Sequence, residues 1–316
     1  MDIPKVSTKT NLSDKLGTVM ARLTLNRANY KVEPGLYAVG TPSTNSNVFV
    51  SANYKLSFDS LRKELGGMDA WILVLDTKGI NVWCAAGEGT FGTQELINRI
   101  SETKLNEIVT QRKLIVPQLG AVGVAAHIIK EETGFNVVYG PVRAKDIPEF
   151  LKAGMRATPE MRRVNFTFVD RSKLVAAEFA MGFKYLFIVS VILIAFAQYN
   201  LCANILLAYF GGTVLGPLLL PWLPGRAFSL KGVSAGLITF LIAYFFGFAG
   251  KNILSIAGSL FLMTALASFM LMNFTGASTY TSFSGVKKEM KAAVPLQAGA
   301  LVVGLVIIVV KIFIRS

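Results

Sequence analysis

Beyond Glu178 the chain keeps nine of its 32 Lys and Arg but only one of its 19 Asp and Glu, Glu289. That imbalance leaves little with which to build a water-facing surface. Five apolar runs occupy the same stretch, at roughly 183 to 202, 204 to 222, 232 to 250, 252 to 272 and 295 to 314. A bilayer core takes about 20 apolar residues of helix, so this half is expected to be an all-α domain of five transmembrane helices. The net charge of +13 divides into about +5 up to Glu178 and +8 after it. Basicity therefore belongs mainly to the apolar half, and no basic stretch interleaved with aromatics marks a nucleic-acid face.

Five spans with the first half inside put Arg171, Lys173, Lys184, Arg226, Lys231, Lys287, Lys288 and Lys291 on cytosolic flanks, against Lys251, Lys311 and Arg315 outside. This bias follows the positive-inside rule. The expected location is the cytoplasmic membrane, multi-pass, with the N-terminal domain in the cytosol. Met1 to Lys5 is polar and no apolar h-region follows it, so no cleaved signal peptide is expected. The apolar runs contain no carboxylate; Gln198, Asn200 and Asn204 are their polar candidates. Ion-coupled carriers rely on buried ionisable groups, which favours an anchoring bundle over a transporter. Gly232 and Gly236 read as a helix-packing pair.

The organisation expected is a domain over 1–170, a linker over 171–182 and the membrane domain over 183–316. After an irregular start, Val48 to Ala52 and Trp71 to Asp76 read as short buried strands, with a helix from Phe58 to Leu65 behind a Ser57 cap. Asp76 to Gly79 is a turn, Ile80 to Trp83 reads as extended, and Thr93 caps a helix to about Ser101. Leu114 to Val116, Val122 to Glu132, Asn136 to Tyr139, Asp146 to Ala153 and Asn165 to Val169 continue the alternation of strand and helix. Such alternation predicts a compact α/β domain with a mostly parallel sheet. Ligands of such sheets sit at the carboxyl ends of strands, where Cys84 is expected.

Gly87-Glu88-Gly89-Thr90-Phe91-Gly92 fits the glycine pattern of dinucleotide-binding turns. The acidic residue that should follow about twenty positions later at a strand end is Glu107, in a helical-looking stretch, and a plain glycine-rich turn accounts for the same residues. His127 is the only histidine; it reads as a helix-borne residue with no role, and one His with two distant Cys cannot build a four-ligand zinc site. Two cysteines also make no disulfide framework. Cys202 reads as a packed membrane cysteine rather than a metal relay. Cys84 alone reads as a small buried hydrophobe, but its neighbours point further. Asn81 brings an amide, Trp83 a flat apolar surface, and Ala85, Ala86 and Gly87 little bulk. A thiolate, favoured at a helix start, is a soft ligand for a transition metal.

Asn81-Val82-Trp83-Cys84-Ala85-Ala86-Gly87 resembles the signature of the corrinoid protein of mercury-methylating pairs (the HgcA family), relatives of the methyl-carrying corrinoid iron-sulfur proteins. That signature continues with lysine, where this chain has Glu88, and a carboxylate there works against a thiolate. Pro34 to Tyr37, Ala52 to Asp59, Trp71 to Gly79, Pro117 to Gly120 and Tyr139 to Ala144 are also similar, as is the layout of one domain followed by five spans. The histidine-bearing pattern Asp-x-His-x-x-Gly of other corrinoid proteins is absent.

The resemblance implies a Rossmann-like corrinoid-binding domain whose cofactor is cobalamin or another cobamide. Cys84, on a helix beneath the ring, would be the lower axial cobalt ligand and the catalytic residue. Asn81, Val82, Trp83, Ala85, Ala86, Gly87, Gly89, Thr90 and Gly92 would line that face. The implied reaction, in anaerobic one-carbon metabolism, is methyl transfer from methylcobalt(III) to inorganic Hg(II), giving methylmercury. A methyltetrahydrofolate-linked system would supply methyl groups. Electrons would come from a ferredoxin-like HgcB-type partner with 4Fe–4S clusters, since two cysteines cannot hold an iron–sulfur cluster of the chain's own. The alternatives are a corrinoid methyl carrier without mercury activity and a non-catalytic cobamide- or metal-binding membrane protein.

Overall fold

Ala-Trp-Ile-Leu-Val-Leu, residues 70–75, carries no side chain suited to water, and the structure buries all six in a sheet. A computed structural model of the protein describes residues 3–27, 29–274 and 283–314. It divides into two bodies, Met1–Ala21 with Leu25–Val164, and Arg22–Thr24 with Asn165–Ser316.

The first body runs β1 (Lys5–Val6), α1 (Leu12–Arg22), β2 (Gly35–Val39), β3 (Asn47–Ala52), α2 (Lys55–Glu64), β4 (Ala70–Leu75), α3 (Val82–Glu88), α4 (Thr93–Glu102), α5 (Leu105–Ile108), β5 (Lys113–Val116), α6 (Ala126–Thr133), β6 (Asn136–Tyr139) and α7 (Ile147–Lys152). The sheet order is β1-β2-β4-β3-β5-β6, and every neighbouring pair is parallel except β2 with β4. Side chains alternate across it. Val48, Val50, Trp71, Leu73, Leu114 and Val116 share one core with Leu96 and Ile100 of α4 and Ile129 of α6. Phe49, Ile72, Val74 and Ile115 share the other with Phe58 and Leu61 of α2 and Phe150 of α7. The mostly parallel α/β reading therefore holds.

Its boundaries shift for local reasons. The irregular start contains α1, whose first turn is closed reciprocally: Asp14 N donates to Asn11 Oδ1 at 2.8 Å and Asn11 N to Asp14 Oδ2 at 3.0 Å. α2 begins at Lys55 behind Tyr54, so Ser57 lies inside its first turn. Residues 82 and 83 are helical rather than extended, because Asn81 caps α3. Thr93 is the first residue of α4, behind Gly92. Residues 122–125 form no helix, and α6 starts at Ala126. No strand forms at 165–169; Thr167 and Asp170 instead make a capping box that opens the next helix.

The second body contains α8 (Phe168–Ala195), α9 (Tyr199–Phe210), which continues through a π-helical turn at Gly211–Leu215 into α10 (Gly216–Leu219), then α11 (Phe228–Phe245), α12 (Ile253–Asn273) and α13 (Phe283–Ile314). Among the described residues, five helices are long and apolar enough to cross a membrane. Residues 171–182, read as a linker, are part of α8. A Cβ on Gly232 would stand 2.5 Å from Ser268 Cα, and one on Gly236 2.8 Å from Thr264 Cα, so these glycines let α11 lie close on α12. Two expectations change. Lys231 is not a solvated flank but is buried, with Nζ donating to the carbonyls of Leu220 and Leu223 at 2.8 and 2.6 Å. The fifth candidate span, Gly285–Val310, includes Glu289, whose carboxylate accepts from Ser229 N at 2.6 Å. Arg315, counted among the outer charges, lies outside the described residues.

Candidate functional site

Strand order decides where a crevice can open. β3 leads through α2 to β4 on one side, while β5 leads through α6 to β6 on the other. Adjacent β3 and β5 thus send their connections apart, and such a switch point leaves a crevice outside the carboxyl ends. A cavity of about 340 Å³ lies there, lined among others by Ser51 at the end of β3, Tyr54, Trp83, Pro117 after β5, and Gly140 and Pro141 after β6. Its lining is mostly apolar with a few hydroxyls, the usual make-up of a small-molecule pocket.

α3 stands at this mouth with two faces. Val82, Ala85 and Ala86 are buried. Asn81 and Cys84 are half-buried, and Trp83, Gly87 and Glu88 are exposed, Trp83 by 38%. Asn81 serves twice. Its Oδ1 accepts from Cys84 N at 3.1 Å, capping the helix, and its Nδ2 donates to Cys84 Sγ at 3.4 Å. A charged or electron-rich sulfur is the acceptor that such a donor favours. Gly87, three residues on and so on the neighbouring surface, has nothing within 4 Å of where a Cβ would stand. Glu88, four residues after Cys84, also shares that side.

A buried polar residue holds α3 at its place. Asn53 is 2% exposed; its Oδ1 accepts from Thr77 N at 3.2 Å and Gly79 N at 2.9 Å, and its Nδ2 donates to Asp76 Oδ1 at 3.1 Å. Thr77 Oγ1 then reaches Ile80 O at 2.6 Å. The turn from β4 into Asn81 is thereby fixed from the end of β3. Behind α2, Lys55 and Arg62 fasten α1: Lys55 Nζ is 2.6 Å from both Asp14 and Asp59, and Arg62 lies 2.8 Å from Asp14 and 2.7 Å from Asp59. Burial pushes the Asp14 carboxyl up, but Lys55, the Asn11 amide and Arg62 outweigh it and hold the group at about 2. Burial likewise opposes the charge on Lys55 and Arg62, and their carboxylate partners raise both above their ordinary values.

Of the residues expected to line the ligand face, Asn81, Val82 and Trp83 line the cavity, and Cys84 sits beside them on the same short helix. Ala85 and Ala86 face the core instead. Gly123 comes close to this side of α3, since a Cβ on it would stand 3.2 Å from Ala86 Cα. Gly89 ends α3 in the left-handed conformation, φ +88°, Thr90 Oγ1 reaches back to Ala85 O at 3.4 Å, and Gly92 caps α4. These three join two helices, so the glycine pattern follows no strand and the dinucleotide reading falls. His127 is exposed in the first turn of α6. Cys202 is buried and free.

Asn53, Ser51, Tyr54, Pro117, Gly140 and Pro141 were not singled out as site residues by sequence reasoning. The available signal was the set of similar segments: Ala52 to Asp59, Pro117 to Gly120 and Tyr139 to Ala144 all contribute to the cavity wall. The donor set fits a corrinoid. Among the described residues no group of three or more His, Cys, Asp or Glu could hold a bare ion, whereas a metal that carries its own planar ligands asks for one soft donor on an open surface, which Cys84 beside Gly87 provides.

Residues 13–151 match the family described as CO dehydrogenase/acetyl-CoA synthase delta subunit. Similar curated proteins include the acetyl-CoA decarbonylase/synthase complex subunit gamma of Archaeoglobus fulgidus, 35% identical over 128 residues, 40% of this chain and 27% of the relative. The same subunit of Methanopyrus kandleri is 33% identical over 128 residues, with the same coverage. The corrinoid/iron-sulfur protein large subunit of Moorella thermoacetica is 29% identical over 127 residues, 40% of this chain and 28% of the relative. The chain thus spans little more than a quarter of the length of these relatives. The matched stretch includes every residue lining the cavity and none of the five apolar helices. The first body is therefore similar to part of a corrinoid/iron-sulfur protein subunit and of acetyl-CoA decarbonylase/synthase gamma subunits.

Proposed function

We propose that the protein is a membrane-bound, corrinoid-dependent methyltransferase whose methyl acceptor is inorganic Hg(II), with the Cys84 thiolate as lower axial ligand to cobalt. The observation that carries this reading is the half-buried Cys84 on α3, next in sequence to Asn81, Val82 and Trp83 of the crevice lining, with the Asn81 amide donating to its Sγ at 3.4 Å. A bound corrinoid supplies a cobalt ion able to carry a methyl group and release it to a metal electrophile. The chain supplies the rest. Cys84 would hold the cobalt through its sulfur, Asn81 orients that sulfur, Trp83 offers a flat apolar surface beside it, and Gly87 keeps the surface bare. Val82, Ala85 and Ala86 root the helix so that the sulfur does not drift.

Only two cysteines are present, so the low-potential electrons needed between turnovers fall to a ferredoxin-like partner with 4Fe–4S clusters, and methyl groups to a methyltetrahydrofolate-linked enzyme. The positive-inside bias of the five helices supports a cytoplasmic membrane location with the first body in the cytosol. A second reading, a corrinoid methyl carrier of one-carbon metabolism without mercury activity, is favoured by Glu88, which sets a carboxylate where the mercury-methylating signature has a lysine, and by the names of the relatives.

The full chain, purified and given cobalamin, tests the ligand. The wild type is expected to change the visible spectrum of the cofactor, and Cys84→Ala to bind it without that change; identical spectra from the two remove cysteine from the axial position. Coexpression with the ferredoxin-like partner then separates the two readings. Methylmercury formed by the wild type and lost in Cys84→Ala supports the first; an intact cobalt–sulfur spectrum with no methylmercury, and none restored by Glu88→Lys, supports the carrier.

A further inference from the structure

The second body contains a buried amide with half of its hydrogen bonding unused. Asn204, on α9, is 2% exposed. Its Nδ2 donates to Phe248 O at 3.2 Å and to Ser259 Oγ at 2.9 Å, and Ser259 Oγ in turn donates to Ala249 O at 3.3 Å. These bonds fix which way the amide points, because turning it over would set its oxygen against the Phe248 carbonyl. Asn204 Oδ1 has no partner among the described residues. Helical side chains lean toward the helix N-terminus, and Asn204 lines a cavity of about 200 Å³ at that end of α9, together with Gln198, Asn200, Gly250, Ser255 and Ser259.

Two further features narrow the occupant. No side chain caps α9, so the first-turn N–H groups of Tyr199, Asn200 and Leu201, which also line the cavity, are available to an anion. Exposed Lys251 follows Gly250 of the lining. Tyr199 of the lining is largely exposed, as are Phe196, Phe245 and Phe246 at the α8–α9 and α11–α12 turns that supply other lining residues. Aromatic side chains gather in this way at the headgroup level of a bilayer.

We infer that this cavity binds the headgroup of a membrane phospholipid that carries its own N–H or O–H donor, such as phosphatidylethanolamine or phosphatidylglycerol. The phosphate is held by the open turn of α9 and the charge of Lys251, and the amine or hydroxyl donates to Asn204 Oδ1. Phosphatidylcholine, whose methylated nitrogen has no hydrogen to give, lacks the second contact.

The full chain, stripped of lipid in detergent, is offered equal amounts of phosphatidylethanolamine and phosphatidylcholine with matched acyl chains, and retained lipid is counted by native mass spectrometry. Retention of phosphatidylethanolamine is expected to exceed that of phosphatidylcholine about tenfold, the worth of one well-placed hydrogen bond. In Asn204→Leu the ratio falls to about one. Equal retention by the wild type overturns the inference without recourse to any variant, as does an unchanged ratio in Asn204→Leu of normal helical content. Soluble phosphoethanolamine serves as the control for source. If it displaces the lipid at equal concentration, the site takes a free phosphate ester and the lipid assignment fails.

Discussion

Asn53 and Asn204 are equally buried, each 2% exposed, one in each body, yet they are used differently. Asn53 spends both ends of its amide inside the protein, tying Asp76, Thr77 and Gly79 to the end of β3. Asn204 spends only its nitrogen. A buried polar group with a full set of partners specifies structure, and one with a group to spare holds a place for something else. The same contrast runs through the charges. Asp14, Lys55, Asp59 and Arg62 close on one another in the first body, whereas Lys231 in the second donates to the Leu220 and Leu223 carbonyls and, among the described residues, meets no carboxylate.

The hardest blow to this contrast is Asn53→Leu. It leaves Gly79 N without its acceptor, Thr77 N with the Leu75 carbonyl alone and Asp76 without the amide donor, so a loss of about 3 kcal/mol is expected in denaturant unfolding of the full chain, with the cobalamin spectrum lost as well because α3 is no longer held. A cost below about 1 kcal/mol would mean that the turn holds itself. Arg62→Met comes next, at about 2 kcal/mol, since Lys55 still faces both carboxylates. This cluster also has a pH signature. Asp14 sits at about 2 in the folded protein against an ordinary 3.8. Its stabilising effect is therefore complete above the ordinary value and fades as pH falls from there toward 2. Lys55, shifted upward, contributes fully below its ordinary value and loses that contribution as pH rises past its folded one. Asp14→Asn should flatten the acid side of the stability profile; a profile as steep as the wild type's would place the acid sensitivity elsewhere.

What could be read in the sequence follows from how local each cause is. The five long helices were legible because one missing residue class, the carboxylates, marks them over a whole half of the chain. β3 and β4 were legible because Val48-Phe49-Val50 and the six apolar residues of β4 admit few other fates. α3 was read as extended at Ile80 to Trp83, since isoleucine, valine and tryptophan favour strands and only the Asn81 cap overrides them. α2 hid its start, having no side-chain cap at Tyr54. Asn53 fell inside the similar segment Ala52 to Asp59, but its role was not legible, for its partners lie more than twenty positions away. The cavity wall was marked only as separate similar segments and not as one wall, because β3, α2, α3 and the ends of β5 and β6 meet only once the strand order is known.

A milder change sharpens the account at the sulfur itself. Asn81→Ala removes both the cap and the donor to Cys84, at a cost of about 1 kcal/mol. Asn81→Asp keeps the cap and replaces the donor with a negative oxygen. If Asn81 acts on the sulfur, Asn81→Asp should match the wild type in stability but weaken the cobalamin spectral change as much as alanine does. Equal spectra for wild type and Asn81→Asp would reduce Asn81 to a helix cap.

The smallest effect belongs to Asn204. Hydrogen bonds inside membrane bundles are worth only about 0.6 kcal/mol each, because the separated helices find other partners. Asn204→Leu breaks two such bonds, to Phe248 and Ser259, and the leucine methyls recover part of that loss by packing. Thermal unfolding in detergent should therefore shift by a degree or two, far less than for Asn53→Leu. A shift as large as that of Asn53→Leu would show that Asn204, too, is a structural residue, and the distinction between closed and open amides in the two bodies would dissolve.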